Sequence, residues 1–401
     1  MSTRDPSDRR VRITAIDGLR ALAALLVFEY HTFQFSGIAS SSLPQPLRSL
    51  ALRGSCGVDV FVVLSGFCLF LPVVRRAGDF RVRDFARQRA RRIIPAYYAS
   101  ILYVTLLPEL LVIVYRALGL HARWQRPQGW LQYVTHLTFT HTLSPKTWDG
   151  INGSYWSLGL EAQYYVFLPL LVVLYARVGA LGLAAGLGVG VAWETGTWIA
   201  FGAPHAFVVS HFLWDVTVFG RMLEFGSGMV AAYLVAARAD LVRSARWAGV
   251  AGLALFATTL FVVESYPVPE LVTTACWGMS VALVIVRCGD PASAISRALS
   301  WRPLAWLGLV SFSFYLVHQP TVYYFSQLLH RESVPAVAVW ALELTVGLGV
   351  VVVIAALGFR FLERPFLRTR AAGSRAEQKE AVLEAEGLVH PSRRPTPLAS
   401  P

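Results

Sequence analysis

Residues 336–358 read AVAVWALELTVGLGVVVVIAALG, a predominantly apolar run of the length a helix needs to cross roughly 30 Å of hydrocarbon. Comparable runs recur along the chain, and their pattern predicts spans near 14–35, 57–74, 93–114, 155–176, 180–201, 216–236, 247–264, 270–286, 304–326 and 336–358. The composition agrees: of 401 residues 55% are hydrophobic and only 15% charged, with a mean hydropathy of +0.51, too apolar for an ordinary soluble enzyme. The sequence therefore predicts an all-α, polytopic integral membrane protein with about ten transmembrane helices. The first run is not a cleavable signal peptide, because it is long, lacks a small-residue cleavage site and carries ionisable side chains.

Charge sets the orientation. Most of the 36 Lys and Arg fall on segments that are cytoplasmic if the N-terminus is inside, and an even number of spans places both termini there. The expected organisation is a cytoplasmic lead (1–13), a transmembrane domain (14–370) and a mobile cytoplasmic tail (371–401). The formal net charge of +12 is mostly this topology signal. Nucleic acid is excluded as a partner because the basic residues are divided among separate membrane-flanking loops, the richest being 75–92. Some of that loop's charge also attracts anionic lipid headgroups. The longest external segment, about 115–154, holds His121, His136, His141, Trp124, Trp130 and Trp148. Four cysteines, Cys56, Cys68, Cys276 and Cys288, lack Cys-x-x-Cys spacing and read as packing residues, with no metal site expected.

Ionisable groups inside hydrocarbon cost roughly 2.5–3.5 kcal/mol each near a helix centre, so a chain that keeps several uses or pairs them. The first span contains Asp17-Gly18-Leu19-Arg20 near its inner end and Glu29-Tyr30-His31 near its outer end. Eleven residues at about 1.5 Å separate Arg20 from His31 by roughly 16 Å, similar to an extended phosphopantetheine arm. That spacing suits acyl-CoA, expected as acetyl-CoA, with phosphates at inner arginines and thioester near His31. Arg20, Arg89, Arg91 and Arg92 are the expected donor-binding residues. A neutral imidazole at His31 suits a general base that takes the proton of an acceptor hydroxyl. Glu29, Asp59 and Glu161 compete to be the carboxylate that orients it, with Asp59 and Glu161 the expected catalytic partners. Ser65 lacks a Gly-x-Ser-x-Gly elbow and is no nucleophile. Gly57 and Gly66 permit close helix approach. Trp156, Glu29, Arg221, Glu224 and His318 are the expected acceptor-side residues, although Arg221 and Glu224, at i and i+3, also suit a structural ion pair. A rival reading makes Asp59, Glu161, Arg221 and Glu224 the path of a transporter or flippase; no internal repeat supports it.

These motifs together resemble the acyltransferase-3 family of membrane-bound O-acyltransferases. The resemblance rests on Asp17-Gly18-Leu19-Arg20 with ten residues before His31, Gly57-Val58-Asp59 through Ser65-Gly66-Phe67, and the arginine cluster ending at Pro95. It continues through Trp156-Ser157-Leu158 with Glu161, Glu224-Phe225 and Ser313 to His318, and closes on Leu362-Glu363-Arg364-Pro365-Phe366, so it covers about 14–366. It implies about ten membrane helices, a cytoplasmic acyl-CoA donor, and an external acceptor that is a surface polysaccharide, peptidoglycan sugar, macrolide or related natural product. It also implies that His31 is the catalytic histidine with Arg20 its partner, and a bacterial inner membrane as the setting. Three departures stand out. Ala162 occupies a position that is often acidic, Glu29 one that is commonly apolar, and no hydrolase-like domain follows in this sequence, so an acceptor is expected to reach the site unaided.

Overall fold

The computed structural model describes residues 13–38, 44–76, 80–117, 129–202, 214–263, 266, 268–331 and 333–366. The lead at 1–12, the tail from 371, His121 and Trp124 lie outside the described residues. Every described element is a helix. The chain runs through α1 (Thr14–Phe35), α2 (Gln45–Leu52), α3 (Gly57–Arg75), α4 (Val82–Ala117), α5 (Trp130–Leu137), α6 (Trp156–Val178) and α7 (Ala180–Phe201). It continues with α8 (Met222–Ala237), α9 (Ala239–Ser244), α10 (Ala248–Phe261), α11 (Glu270–Cys288), α12 (Ala294–Leu299), α13 (Arg302–Arg331), α14 (Ala336–Leu342) and α15 (Leu348–Gly358). A π-helical turn, Glu343–Gly347, joins α14 to α15, and a second, Phe359–Glu363, follows α15.

Local sequence explains where the helices begin and end. Pro44, Pro269 and Pro335 stand immediately before α2, α11 and α14, where a missing N–H costs nothing. Gly179, at φ 60°, ends α6 and turns the chain directly into α7, a left-handed conformation that favours glycine.

Five helical stretches are long and apolar enough to cross a membrane: 47–75, 82–114, 153–178, 270–288 and 336–366. Two shorter apolar helices, α8 and α10, have 16 and 14 residues. The difference from ten expected spans has a chemical origin. With 22, 22 and 30 residues, α1, α7 and α13 are long enough, but α1 carries Asp17, Arg20, Glu29 and His31, α7 carries Glu194, Thr195 and Thr197, and α13 carries His318, Gln319 and further polar residues. Leu102, Ile113, Val166, Leu170 and Ile199 are 57–78% exposed, which gives the helices an outward apolar face suited to lipid.

Inside, α1 is the central post, packed on α13 along one side and on α3 along another. In turn α3 packs on α8, and α13 on α15 and α4. Glycines permit these contacts. A Cβ on Gly66 of α3 would lie 2.0 Å from the Phe225 carbonyl oxygen of α8, and one on Gly228 of α8 would lie 2.0 Å from that of Val63. The predicted role of Gly57 and Gly66 is thus met: a Cβ on Gly57 would stand 2.4 Å from the Ala23 oxygen of α1. Two apolar clusters result, one gathering α3, α6, α8 and α11, the other α4, α13 and α15. Residues of α1 join both, and the site lies between them.

Candidate active site

Between the two clusters is a partly open cavity of about 110 Å³, walled by α1, α3, α4, α6 and α13. One part of its wall is cationic. Arg20 of α1 meets Arg89 and Arg92 of α4 there. Positions 89 and 92 are one helical turn apart and share a face, whereas Arg91 points elsewhere and is exposed. Of the four arginines expected at a donor site, the cavity brings together three. Among the described residues, no carboxylate lies within ion-pair distance of Arg20, Arg89 or Arg92. The wall's carboxylate, Glu161, accepts the hydroxyl hydrogen of Tyr165, one turn along α6. The Arg89 guanidinium stacks over the Tyr165 and Phe85 rings at 5.7 and 5.5 Å. A cavity wall with three guanidinium groups and one carboxylate carries net positive charge and suits a polyanion.

The other part of the wall is aromatic and hydroxylic. Phe61 of α3 meets the Tyr315 ring of α13 edge-on, 5.8 Å between centroids. The Tyr315 hydroxyl donates to the Ser154 carbonyl at 2.9 Å and accepts from Ser157 Oγ at 2.7 Å. Behind Tyr315 stands a histidine pair: the His318 ring lies 5.2 Å from Tyr315 and 5.0 Å from His31. His31 Nδ1 faces the Val27 carbonyl oxygen at 2.8 Å, and His318 Nδ1 faces that of Tyr315 at 2.7 Å. A carbonyl only accepts, so both rings carry their proton on Nδ1. His318 Nε2 then offers its lone pair to His31 Nδ1 at 3.3 Å. That leaves His31 Nε2 as a base, with a neighbour able to support the ring once it is protonated.

The orienting group is therefore a backbone carbonyl with a second imidazole, and none of the three carboxylates expected there. Asp59 instead accepts from Arg221 at 2.8 Å, and Arg221 also reaches Glu224 at 3.2 Å. Arg221 precedes α8, Glu224 is fully buried in its first turn, and Tyr164 donates to the Arg221 carbonyl at 3.2 Å. This cluster borders the cavity through Tyr164 and Val58 and has the form of a structural ion pair network. Glu29 lies two residues from His31 on α1, a spacing that faces it away, and its Oε2 would stand 3.0 Å from a Cβ on Gly54. Trp156 packs half-buried against the first apolar cluster. Sequence reasoning missed Tyr315, Ser157 and Tyr165. The signals were present: Tyr315 precedes His318 by three residues, and Tyr165 follows Glu161 by four.

On the segment expected to be external, His136 and His141 are fully buried and stack at 4.1 Å between ring centroids. Burial, reinforced by the neighbouring His141, pushes His136 down to about 3. Burial lowers His141 as well, against a hydrogen bond to the Tyr155 carbonyl. Both are neutral at ordinary pH.

The family model of the acyltransferase domain matches residues 13–360. The chain is 26% identical over 377 residues to the peptidoglycan O-acetyltransferase OatA of Listeria monocytogenes, covering 89% of this chain and 56% of that protein. It is 28% identical over 340 residues to the acyltransferase MdmB of Streptomyces mycarofaciens, covering 81% and 82% of the two chains. It is 24% identical over 381 residues to the O-acetyltransferase OatA of Staphylococcus aureus, covering 88% of this chain and 57% of that one. The chain thus spans a little over half the length of either OatA. No solved structure matches it. The sequence signature, the helical fold and the family match coincide over the same residues, and the chain belongs to the acyltransferase-3 family.

Proposed function

We propose that this protein is a membrane-bound O-acyltransferase that moves an acyl group, typically acetyl, from acyl-CoA to a hydroxyl of a carbohydrate or glycosylated natural product. The observation that carries the reading is a single cavity with Arg20, Arg89 and Arg92 on one part of its wall and Tyr315, backed by His31 and His318, on another. An acyl-CoA has the matching polarity: an anionic end that guanidinium groups bind and a thioester a pantetheine arm away. In the reaction, His31 Nε2 takes the acceptor's proton as its oxygen bonds to the thioester carbon. The carbonyl electron pair moves to oxygen and returns, the carbon–sulfur bond breaks, and the thiolate leaves with the proton from His31. The relatives support the acceptor class, since two are named for O-acetyl transfer and one of these for peptidoglycan.

The reading includes ten spans with both termini cytoplasmic, the donor entering from the inside and the acceptor from outside a bacterial inner membrane. The test is to supply purified protein with labelled acetyl-CoA and a panel of glycans and macrolides, and to follow the label by mass spectrometry. Label on an acceptor oxygen is the expected result. Gradient-driven movement of an unmodified solute, with acetyl-CoA ignored, would replace this reading by the transporter alternative.

A further inference from the structure

The cavity wall leaves one polar group without a partner. Ser311 lines it from α13, is only 1% exposed, and its hydroxyl makes no hydrogen bond. No other described wall residue keeps a fully buried polar atom unpaired. A serine inside a helix ordinarily donates to a carbonyl three or four residues back. Ser100 and Ser280 do so, to Tyr97 at 2.7 Å and Trp277 at 2.9 Å, and Ser313 donates to Glu363 instead. A buried hydroxyl left unspent costs stability unless a ligand satisfies it.

Its position along α13 says which part of a ligand it meets. Ser311, Tyr315 and His318 follow at intervals of four and three, so they lie along one face of the helix. The Tyr315 hydroxyl is already engaged with Ser154 and Ser157, and His318 with His31. Seven residues at about 1.5 Å place Ser311 roughly 10 Å inward of His318. Arg20 lies further in, roughly 16 Å along α1 from His31. An extended pantetheine thioester has its groups in the same order: phosphate innermost, then an amide carbonyl on the order of 10 Å from the sulfur, a nearer amide, and the thioester.

Resting on the acyl-CoA reading above, we infer that the Ser311 hydroxyl donates a hydrogen bond to the pantetheine amide carbonyl farther from the thioester. Ser311 is then a positioning residue: it fixes how far the thioester reaches toward His31. No bond forms or breaks at the serine.

The experiment is initial-rate kinetics on the purified full chain in lipid nanodiscs, with acetyl-CoA and, separately, an amide-free donor, S-acetyl-2-mercaptoethanol. For Ser311→Ala, KM for acetyl-CoA rises about five- to tenfold while kcat stays within about twofold, the size expected for one neutral hydrogen bond. KM for the acceptor and for the amide-free donor is unchanged, and Ser311→Thr, which keeps the hydroxyl, restores acetyl-CoA. Ligand-free Ser311→Ala melts no lower than the parent, because it removes an unpaired group. An unchanged KM for acetyl-CoA, equal losses with both donors, or a lowered melting temperature would overturn the role of Ser311 and leave the donor reading standing. A parent protein that transfers from neither donor would overturn the donor reading itself, and this inference with it.

Discussion

His31 and Arg20 are the pair the sequence points to most directly. They share one helix, so counting residues gives their separation, and their polarity inside an apolar run makes them functional candidates. Their partners are not legible in the same way. His318 lies 287 residues away in the chain, and Arg221 lies 162 from Asp59, so only folding brings them together. The carboxylate sought beside His31 is absent because Asp59 and Glu161 are claimed by Arg221 and Tyr165. Arg91 was separable in principle: helical periodicity alone puts it off the face that Arg89 and Arg92 share. Two outcomes follow. His31→Ala lowers transfer by at least about 10²-fold, the contribution of a positioned base, while the protein still inserts in membranes. Membrane fractionation and acetyl transfer measured on the same preparation check both parts. His318→Ala lowers kcat less, about tenfold, because it removes support from the ring and leaves the base.

At the scale of elements, α3 and α8 approach each other through Gly66 and Gly228, and this contact packs α3, which lines the cavity, against α8. Gly66→Leu forces a side chain into the Phe225 backbone and destabilises the protein by about 1–3 kcal/mol, read as a lower melting temperature in detergent. Gly66 was readable as a packing position, but Gly228 and the partner helix were not, since any apolar span could have supplied them. The α5 segment supplies a pH dependence. His136 and His141 are held neutral in the folded protein, so protonation favours the opened segment. The stability of this region is complete above the ordinary histidine value of 6.5 and is lost as pH falls toward about 3. Hydrogen exchange across 130–155 should rise on acidification below 6.5, and His136→Gln should weaken that rise. Exchange independent of pH, after correction for intrinsic rates, would contradict it.

For the molecule as a whole, hydropathy revealed the helices closely because lipid imposes one periodicity-free rule, apolar side chains over a fixed length. By composition α1, α7 and α13 fall short of a span, and in α1 and α13 part of the reason lies at the site: Arg20 lines the cavity, and His31 and His318 stand behind its Tyr315 wall. What hydropathy cannot convey is that α1 stands at the centre with the cavity beside it, since that depends on which helices pair. The central claim is that this cavity holds the two ends of one donor, phosphates at the arginines and thioester toward the histidines. The most direct measurement compares KM for acetyl-CoA with KM for acetyl-pantetheine, which lacks the phosphates, in the parent protein and in Arg92→Ala. The account predicts that Arg92→Ala raises KM for acetyl-CoA about 10- to 100-fold, as for a charged hydrogen bond, and leaves acetyl-pantetheine unchanged. An equal effect on the two donors, or none on either, would contradict it.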